Sequence, residues 1–375
     1  MKNAIASIEI KDFLVFKYGF TADFCPGVNV LIGGNGSGKT TLMKAMYGVC
    51  DNSNPKFAGK PIGPNRLNRW NSLLPYFSTD YAHLENLCGP PSSIPNHKKC
   101  LITYNDTSFG YRYPTVAEIK QSEGLSEAEI GARSDFTWHY FGGFETMSGE
   151  SDAPYIQSVF IPADEMLSHA KGLLALNNQL AIPFDQTLID ILSKAELPET
   201  REITANAAKV LDKIKNIIGG EVVYENDMFF VVKEHIGKVP FSLEASGFRR
   251  LGLLWKLLRN GLLEAGSILF WDEPENSLNP KLVPELVGIL LALQRNGVQI
   301  FIATHSYDLA RWFDLNKREG DSLRFFNLTN TGNGVEEVHA DDYVSLPYSV
   351  IDEADSKMLR RVAEVAAAKA GVTLK

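Results

Sequence analysis

Residues 33 to 40 read GGNGSGKT, preceded by the apolar run VNVLI (28 to 32) and followed by TLMKAMYGV (41 to 49). The octet fits G-x-x-x-x-G-K-[ST], and its context is the one such a motif requires, a buried strand on one side and a helix on the other. Leu42, Met43, Met46 and Val49 recur at helical spacing, so the turn feeds directly into a helix. Glycines at Gly33, Gly36 and Gly38 let successive backbone N–H groups turn inward on phosphate oxygens, with Asn35, Ser37 and Thr41 completing the loop and first helical turn. Lys39 is placed to neutralise the β and γ phosphates of a bound nucleotide, and the Thr40 hydroxyl to ligate Mg²⁺.

Working outward, the next informative run is ILFWDE, 268 to 273, an apolar strand ending in two carboxylates. A buried strand delivers its last residues to the ligand edge of an α/β sheet. Asp272 is read as the second Mg²⁺ ligand and Glu273 as the residue that polarises the attacking water. QIFIATH, 299 to 305, is a further buried strand, ending in Thr304 and His305, and His305 is read as a contact to the γ phosphate. The helix 281 to 295 joins these two strands, which makes them parallel neighbours.

The rest of the chain divides by pattern. Strands are predicted at 4 to 10 and 28 to 32, and proline and glycine crowd 51 to 100, where one short helix around 73 to 87 is expected. Runs at 100 to 104, 135 to 141 and 155 to 162 read as strands of an antiparallel side sheet, with a helix-competent stretch at 115 to 132. Helical periodicity dominates 165 to 219, strands return at 222 to 224 and 228 to 232, and a long amphipathic helix is predicted over 248 to 263. An Ala-rich amphipathic helix closes the chain at 354 to 370 and reads as a packing or docking element. The fold class that follows is α/β, a P-loop NTPase with a mixed/parallel central sheet, an antiparallel side sheet and a helical subdomain. The expected organisation is a first lobe at 1 to 164 with an insertion at about 51 to 155, a helical insert at 165 to 220, and a second lobe at 221 to 375.

Composition narrows the function classes. The chain has 375 residues, 45% apolar and 22% charged, which excludes disorder, collagen-like and coiled-coil descriptions of the whole. Its 37 basic and 45 acidic residues give a net charge of −8, which argues against a surface that is everywhere a polyanion binder. Four cysteines without a CxxC pair suit a reducing cytosol. No apolar run reaches the ~20 residues of a membrane helix, and 282 to 293 is interrupted by Glu285, so a cytoplasmic protein with no membrane partner is expected. His83, Cys88, His97 and Cys100 lie close in sequence, but their spacing is not that of a standard zinc finger. Arg249, Arg250, Lys256 and Arg259 share one helix, where the choice lies between a solvated face and phosphate or nucleic-acid contacts.

GGNGSGKTTL, the DEPENSLNP run from Asp272 and IATHSYDL from Ile302 together resemble the two halves of an ABC-type ATPase head of the SMC/RecF-like group. Within that group the likeness is to stand-alone ATPases related to overcoming-lysogenization-defect proteins and found in bacterial phage defence. The resemblance covers residues 1 to 49 and 241 to 310 and implies that EASGFRR, 244 to 250, stands where the family carries its signature element. It implies a head-to-tail homodimer, or a higher oligomer, in which Ser246 and Gly247 of one copy cap the ATP held by the other. The chain departs from transporters in having ASGFR for LSGGQ, and the interval 165 to 219, broken by Pro183 and Pro198, is too short for an SMC coiled-coil arm. Asn279 stands where transporters carry aspartate, and no glutamine at the joint between the halves is assigned, Gln157, Asp164 and Glu165 being the nearby polar residues. The resemblance further implies a separately encoded effector, such as a nuclease or toxin, as the output. The alternative is a RecF-like repair ATPase that grips DNA directly.

Overall fold

A computed structural model describes residues 3–11, 13–17, 19–52, 99–104, 107–112, 144–146, 155–180, 184–347 and 349–369. Its centre is a six-stranded sheet. The strand Val28–Gly33 (β3 in chain order, after β1, Ile5–Lys11, and β2, Phe20–Asp23) lies in the middle and is buried along its whole length. The phosphate loop follows it, then α1, Lys39–Asn52. After β4 (Lys99–Tyr104), β5 (Thr107–Arg112) and β6 (Phe144–Thr146) the chain returns to the central sheet as β7, Ser158–Ile161. Helices α2 (Leu173–Leu180), α3 (Gln186–Ala195) and α4 (Ala205–Ile218) lead to a hairpin and third strand, β8 (Glu221–Glu225), β9 (Met228–Lys233) and β10 (Gly237–Pro240). The second half runs α5 (Ser246–Arg259), β11 (Ile268–Asp272), α6 (Val283–Arg295), β12 (Gln299–Thr304), α7 (Tyr307–Asn316), β13 (Leu323–Asn330), β14 (Val335–Ala340) and α8 (Val350–Lys369).

In the central sheet the order is β14-β13-β3-β12-β11-β7, parallel from β13 through β7, with β14 antiparallel at the edge. The register sets Asp272 beside Ala303 and Ala303 beside Leu31, so three strands finish almost level at their carboxyl ends. Both faces are covered. Val28, Val30, Ile32, Leu269, Trp271, Ile300 and Ile302 point into the core built with α4, α5 and α6, while Leu31, Phe270, Phe301 and Ala303 point into the core built with α1, β1 and β2. This alternation across doubly buried strands explains why β3, β11 and β12 read as unbroken apolar runs. On the second face Phe270 and Phe301 stack with ring centroids 5.0 Å apart.

Two antiparallel sheets flank the centre, β2-β1-β4-β5-β6 and β10-β9-β8. The side sheet expected from the sequence exists, with β4 at the predicted place, but it pairs with β1 and does not include the segment 155 to 162. That segment forms β7 and runs parallel to β11, which corrects its assignment to the side sheet. Its side chains are buried throughout, as at any position with helices on one face and α1 on the other. The helix predicted from 248 begins two residues earlier and ends at Arg259, where Asn260 and Gly261 take over its last hydrogen bonds. β13, β14 and α7 were not anticipated. The expected elements at 73 to 87, 115 to 132 and 135 to 141, and His83, Cys88 and His97, lie outside the described residues. No helix among the described residues is long and apolar enough to cross a membrane.

Gln299 ties β12 to β1 and to the turn after β2. Its buried amide accepts from the Ile5 N–H at 2.7 Å and donates to the Ile5 and Cys25 carbonyls at 2.8 and 2.9 Å. Replacing it by leucine strands three backbone groups away from water, each costing about 1–3 kcal/mol before relaxation. Gln299→Leu is therefore expected to lower unfolding stability by about 2–4 kcal/mol, read as a shift of the urea midpoint at constant m-value.

Candidate functional site

The site lies at the carboxyl ends of β3, β12 and β11, where open α/β sheets place their ligands. The loop Gly33–Gly38 turns the chain from β3 into α1, and the backbone N–H groups of the first helical turn face the loop without intrahelical partners. Gly38 has φ +94°, and a Cβ there would meet Val15 Cγ2 at 2.9 Å and Phe16 Cζ at 3.0 Å, so the turn needs glycine for both conformation and space. Asn35 and Gly36 are exposed at the tip, where Asn330 on the β13–β14 hairpin donates to the Gly36 carbonyl at 3.1 Å. Ser37 Oγ is buried with no partner among the described residues, and Thr41 is half-buried in the first turn of α1.

Lys39 is buried, its Nζ donating to the Gly33 and Gly34 carbonyls at 2.9 and 3.0 Å. Burial pulls its pKa down, and the carboxylates of Asp272, Glu273 and Glu275 oppose that shift. Thr40 Oγ1 donates to Asp272 Oδ2 at 2.9 Å. Burial pushes the Asp272 carboxyl up, against the Thr40 hydrogen bond and the charges of Lys44 and Lys39. Glu273 has φ +47°, a left-handed backbone, and its N–H donates to the Ala303 carbonyl at 2.9 Å. Its Oε1 stands 3.8 Å from His305 Nε2. The imidazole of His305 is held below its ordinary pKa, first by desolvation and then by the charge of Lys39, with Glu273 pulling the other way.

Lys39, Thr40, Asp272, Glu273 and His305, drawn from three separate stretches, therefore meet at one edge. Ser246 and Gly247 are not brought into contact with them. Ser246 opens α5 on a cleft of about 240 Å³ lined also by Asp164, Glu165, Arg249 and Asn276, and no residue of the phosphate loop lines it. A Cβ on Gly247 would come within 3.0 Å of the Ser277 carbonyl, so that first turn packs directly on the stretch after β11. Gln157 spends its amide on the Gly261 and Leu262 carbonyls, at 3.2 and 3.0 Å, and Asn279 caps a turn by accepting from the Lys281 N–H at 3.0 Å.

A hard divalent cation fits the donors present. The Thr40 hydroxyl and Asp272 carboxylate offer two oxygens in hydrogen-bond contact, and the carboxylate is taken out of water, which costs free energy unless a cation or donor faces it. Mg²⁺ usually takes one or two protein oxygens and completes its shell with water and phosphate, so two ligands suffice. Among the described residues no group of three or more His, Cys, Asp or Glu side chains is arranged for a metal.

Two contributors were not identified from sequence. Glu275 accepts from the Thr304 hydroxyl and from the His305 N–H, the latter at 3.3 Å. Arg250 donates to the Glu273 carbonyl at 3.1 Å and to that of Ala163. The solvated-face reading of the basic helix is thereby corrected. Arg250 and Lys256 are buried, Arg249 pairs with Glu165 at 3.0 Å, and Lys256 and Arg259 both pair with Glu199. An acidic residue two positions beyond Glu273 was the only sequence signal for Glu275, and Arg250 was marked only as one of four basic residues on its helix.

Comparison with known proteins gives two family matches. Residues 1–107 match the model described as "AAA ATPase domain", and residues 146–311 match "AAA domain, putative AbiEii toxin, Type IV TA system". No curated protein matches the chain. Among solved structures, the SMC head domain from Thermotoga maritima is similar at 13% identity over 90% of this chain and 99% of that one, with a TM-score of 0.46. An SMC head domain with an extended coiled coil bound to the C-terminal domain of ScpA, derived from Pyrococcus furiosus, is similar at 13% identity over 96% and 99%, with a TM-score of 0.43. An ATP-binding cassette of an ABC transporter in its ADP conformation is similar at 13% identity over 89% and 91%, with a TM-score of 0.40. With its phosphate loop, its parallel strand order and the two AAA matches, the chain has the α/β fold of a P-loop NTPase.

His305 provides a direct test of the site's electrostatics. In the nucleotide-free protein its ring is expected to titrate below the ordinary value near 6.5, followed by the imidazole NMR signals across pH. Because the native pKa is the lower one, the unfolded chain binds the proton more readily. The contribution of His305 to stability is therefore full above about pH 6.5 and is lost as pH falls through the native midpoint. A midpoint above 6.5 would show that Glu273 outweighs burial and Lys39.

Proposed function

We propose that the chain is a Mg²⁺-dependent ATPase whose copies close head to tail around two ATP molecules, that hydrolysis at Glu273 reopens them, and that this cycle governs a separate effector in anti-phage defence. The observation that carries the reading is the meeting of Thr40 and Asp272 at 2.9 Å beside Lys39, with Glu273 and His305 facing one another at 3.8 Å. A phosphate bound in the loop accepts from backbone N–H groups at the start of α1, and its charge is met by the Lys39 ammonium. Thr40 and Asp272 would hold Mg²⁺, which when bound neutralises charge on the phosphate oxygens and orients them. Glu273 orients the attacking water and takes its proton as the oxygen bonds to the γ phosphorus and the bond to the leaving ADP oxygen breaks. His305, neutral near pH 7, donates one hydrogen bond toward the γ phosphate without adding a second positive charge beside Lys39.

The second copy enters through α5. Its first turn offers free N–H groups and a positive dipole end at Ser246 and Gly247, and the cleft on which Ser246 opens has no phosphate-loop residue of its own chain in its lining. A partner's triphosphate is the ligand that such a terminus suits. The match to a family described by a type IV toxin–antitoxin toxin supports a conflict-system setting, with a nuclease or toxin as output. The alternative, a RecF-like repair ATPase that grips DNA, draws no support from the basic residues of α5, which pair within the chain.

Glu273→Gln is expected to lower kcat by about 10²–10³-fold, within the range of general-base removal, and to leave an ATP-dependent dimer that light scattering detects. Ser246→Arg should keep nucleotide affinity but abolish that dimer. Purified from its native host, the Glu273→Gln protein should bring down a stoichiometric protein partner. Recovery of DNA alone would instead establish the repair reading, and an ATP-insensitive monomer would remove the head-to-tail arrangement.

A further inference from the structure

Glu273 is the residue on which the proposed chemistry turns, and its backbone is in an unfavourable place. A left-handed φ of +47° on a residue with a long side chain costs on the order of 1 kcal/mol or more, and such a conformation persists only where the surroundings over-determine it. Three contacts hold it. Its N–H is taken by the Ala303 carbonyl at 2.9 Å, and its carbonyl accepts from Asn276 N–H at 3.0 Å and from Arg250 Nη1 at 3.1 Å. Arg250, 5% exposed, reaches the Ala163 carbonyl with its other guanidinium nitrogen, so it bridges the ends of β7 and β11. Only a planar fork with several donors can span two carbonyls in this way.

Glu275 secures the other side of the same turn. One carboxylate oxygen accepts from the Thr304 hydroxyl and the His305 N–H, while the second is buried with no partner among the described residues. A buried, half-satisfied carboxylate is expensive to keep, and that marks it as held for a purpose other than stability. Its two bonds lash the end of β12, which carries His305, to the turn that carries Glu273.

We propose that Arg250 and Glu275 are positioning residues that fix the Glu273 backbone and the end of β12, so that the Glu273 carboxylate and the His305 imidazole converge on the same space. Neither hydrogen-bonds to the phosphate loop: Lys39 is fixed through Gly33 and Gly34, Thr40 through Asp272, and Glu275 reaches Lys39 through its charge alone. Their removal therefore misaims hydrolysis while leaving nucleotide binding intact. This rests on the reading of Glu273 as the residue that activates water.

The test compares Glu275→Ala, Glu275→Gln, Arg250→Met and Arg250→Lys with the unaltered chain, measuring kcat and KM for ATP, the Kd for ADP by calorimetry, and backbone hydrogen exchange. Glu275→Ala and Arg250→Met are expected to lose about 30-fold or more in kcat, a misplacement of the order that costs catalysis without touching substrate, with KM and the ADP Kd within about threefold. Glu275→Gln keeps an acceptor for Thr304 and His305 and should recover to within about threefold of the unaltered kcat, whereas Arg250→Lys, unable to span both carbonyls, should resemble Arg250→Met. Exchange should quicken at 304 to 306 in Glu275→Ala and at 273 to 277 in Arg250→Met. Loss of ADP affinity in step with kcat, failure of Glu275→Gln to recover, or unchanged exchange would overturn the proposal. An unaltered chain that binds ADP and never turns over ATP would overturn the hydrolysis reading instead, and the exchange measurement would still decide whether the clamp exists.

Discussion

Asp272 has to be kept at the end of a strand whose every residue is buried, and most of the site follows from how that charge is accommodated. Water cannot reach it freely, so it is met by the Thr40 hydroxyl and by the fields of Lys44 and Lys39. Those partners lie on the loop and helix after β3, two strands away, and can meet Asp272 because β3, β12 and β11 run parallel with their ends nearly level. Between them β12 ends at Thr304 and His305, which fill the gap. Slipping one of these strands by a residue would reverse its inward faces and withdraw its functional end together.

The same charges connect the phosphate loop to the helices beyond it. Lys44 on α1 pairs with Asp185, which also caps α3 by accepting from the Thr187 N–H at 2.9 Å. One turn further, Tyr47 donates to Asp190 at 3.0 Å and accepts from Lys194, whose ammonium also reaches the Ser158 carbonyl on β7. Burial raises the Asp190 carboxyl, with Lys194 as the main opposing charge. The helix that presents Lys39 and Thr40 is thus bolted on its outer side to α3 and β7 by a polar network, and on its inner side by Leu42, Met43, Met46 and Val49 in the apolar core. The loop Gly33–Gly38 thereby leads into a helix with little freedom to shift.

Legibility in the sequence followed the range of the interactions. The phosphate loop, β11 and β12 could be read because each is a local pattern, an apolar run ended by residues of distinctive chemistry, and the parallel sheet follows from the helix between them. The placement of residues 155 to 162 could not be read, since a short apolar run has the same pattern whether it pairs with β1 or lies beside β11, and only the long-range pairing with Leu269 and Phe270 decides. β13 escaped for a related reason: its buried stretch Phe325–Leu328 includes Asn327, a polar residue at a core position that breaks the apolar run. Arg250 was hidden by its neighbours. In sequence it belongs to a basic helix face, and only the fold shows that its target is a pair of carbonyls 23 and 87 residues away.

Arg250 also gives α5 a meaning that neither of its ends has alone. Ser246, in the first turn, is one helical turn from Arg250, which holds the Glu273 carbonyl. Gly247 packs within van der Waals reach of Ser277 and Leu278, on the segment that leaves Glu273. A helix turn is stiff over this distance, so a displacement at its N-terminus is delivered to the turn carrying Glu273 and is not absorbed along the way. In the proposed dimer, the triphosphate held by one chain would press on Ser246 of the other and through Arg250 on that second chain's own Glu273. The left-handed backbone of Glu273 suits this role, because a strained turn held by a few long-range hydrogen bonds is the element of the site that a small movement of α5 can most readily tip.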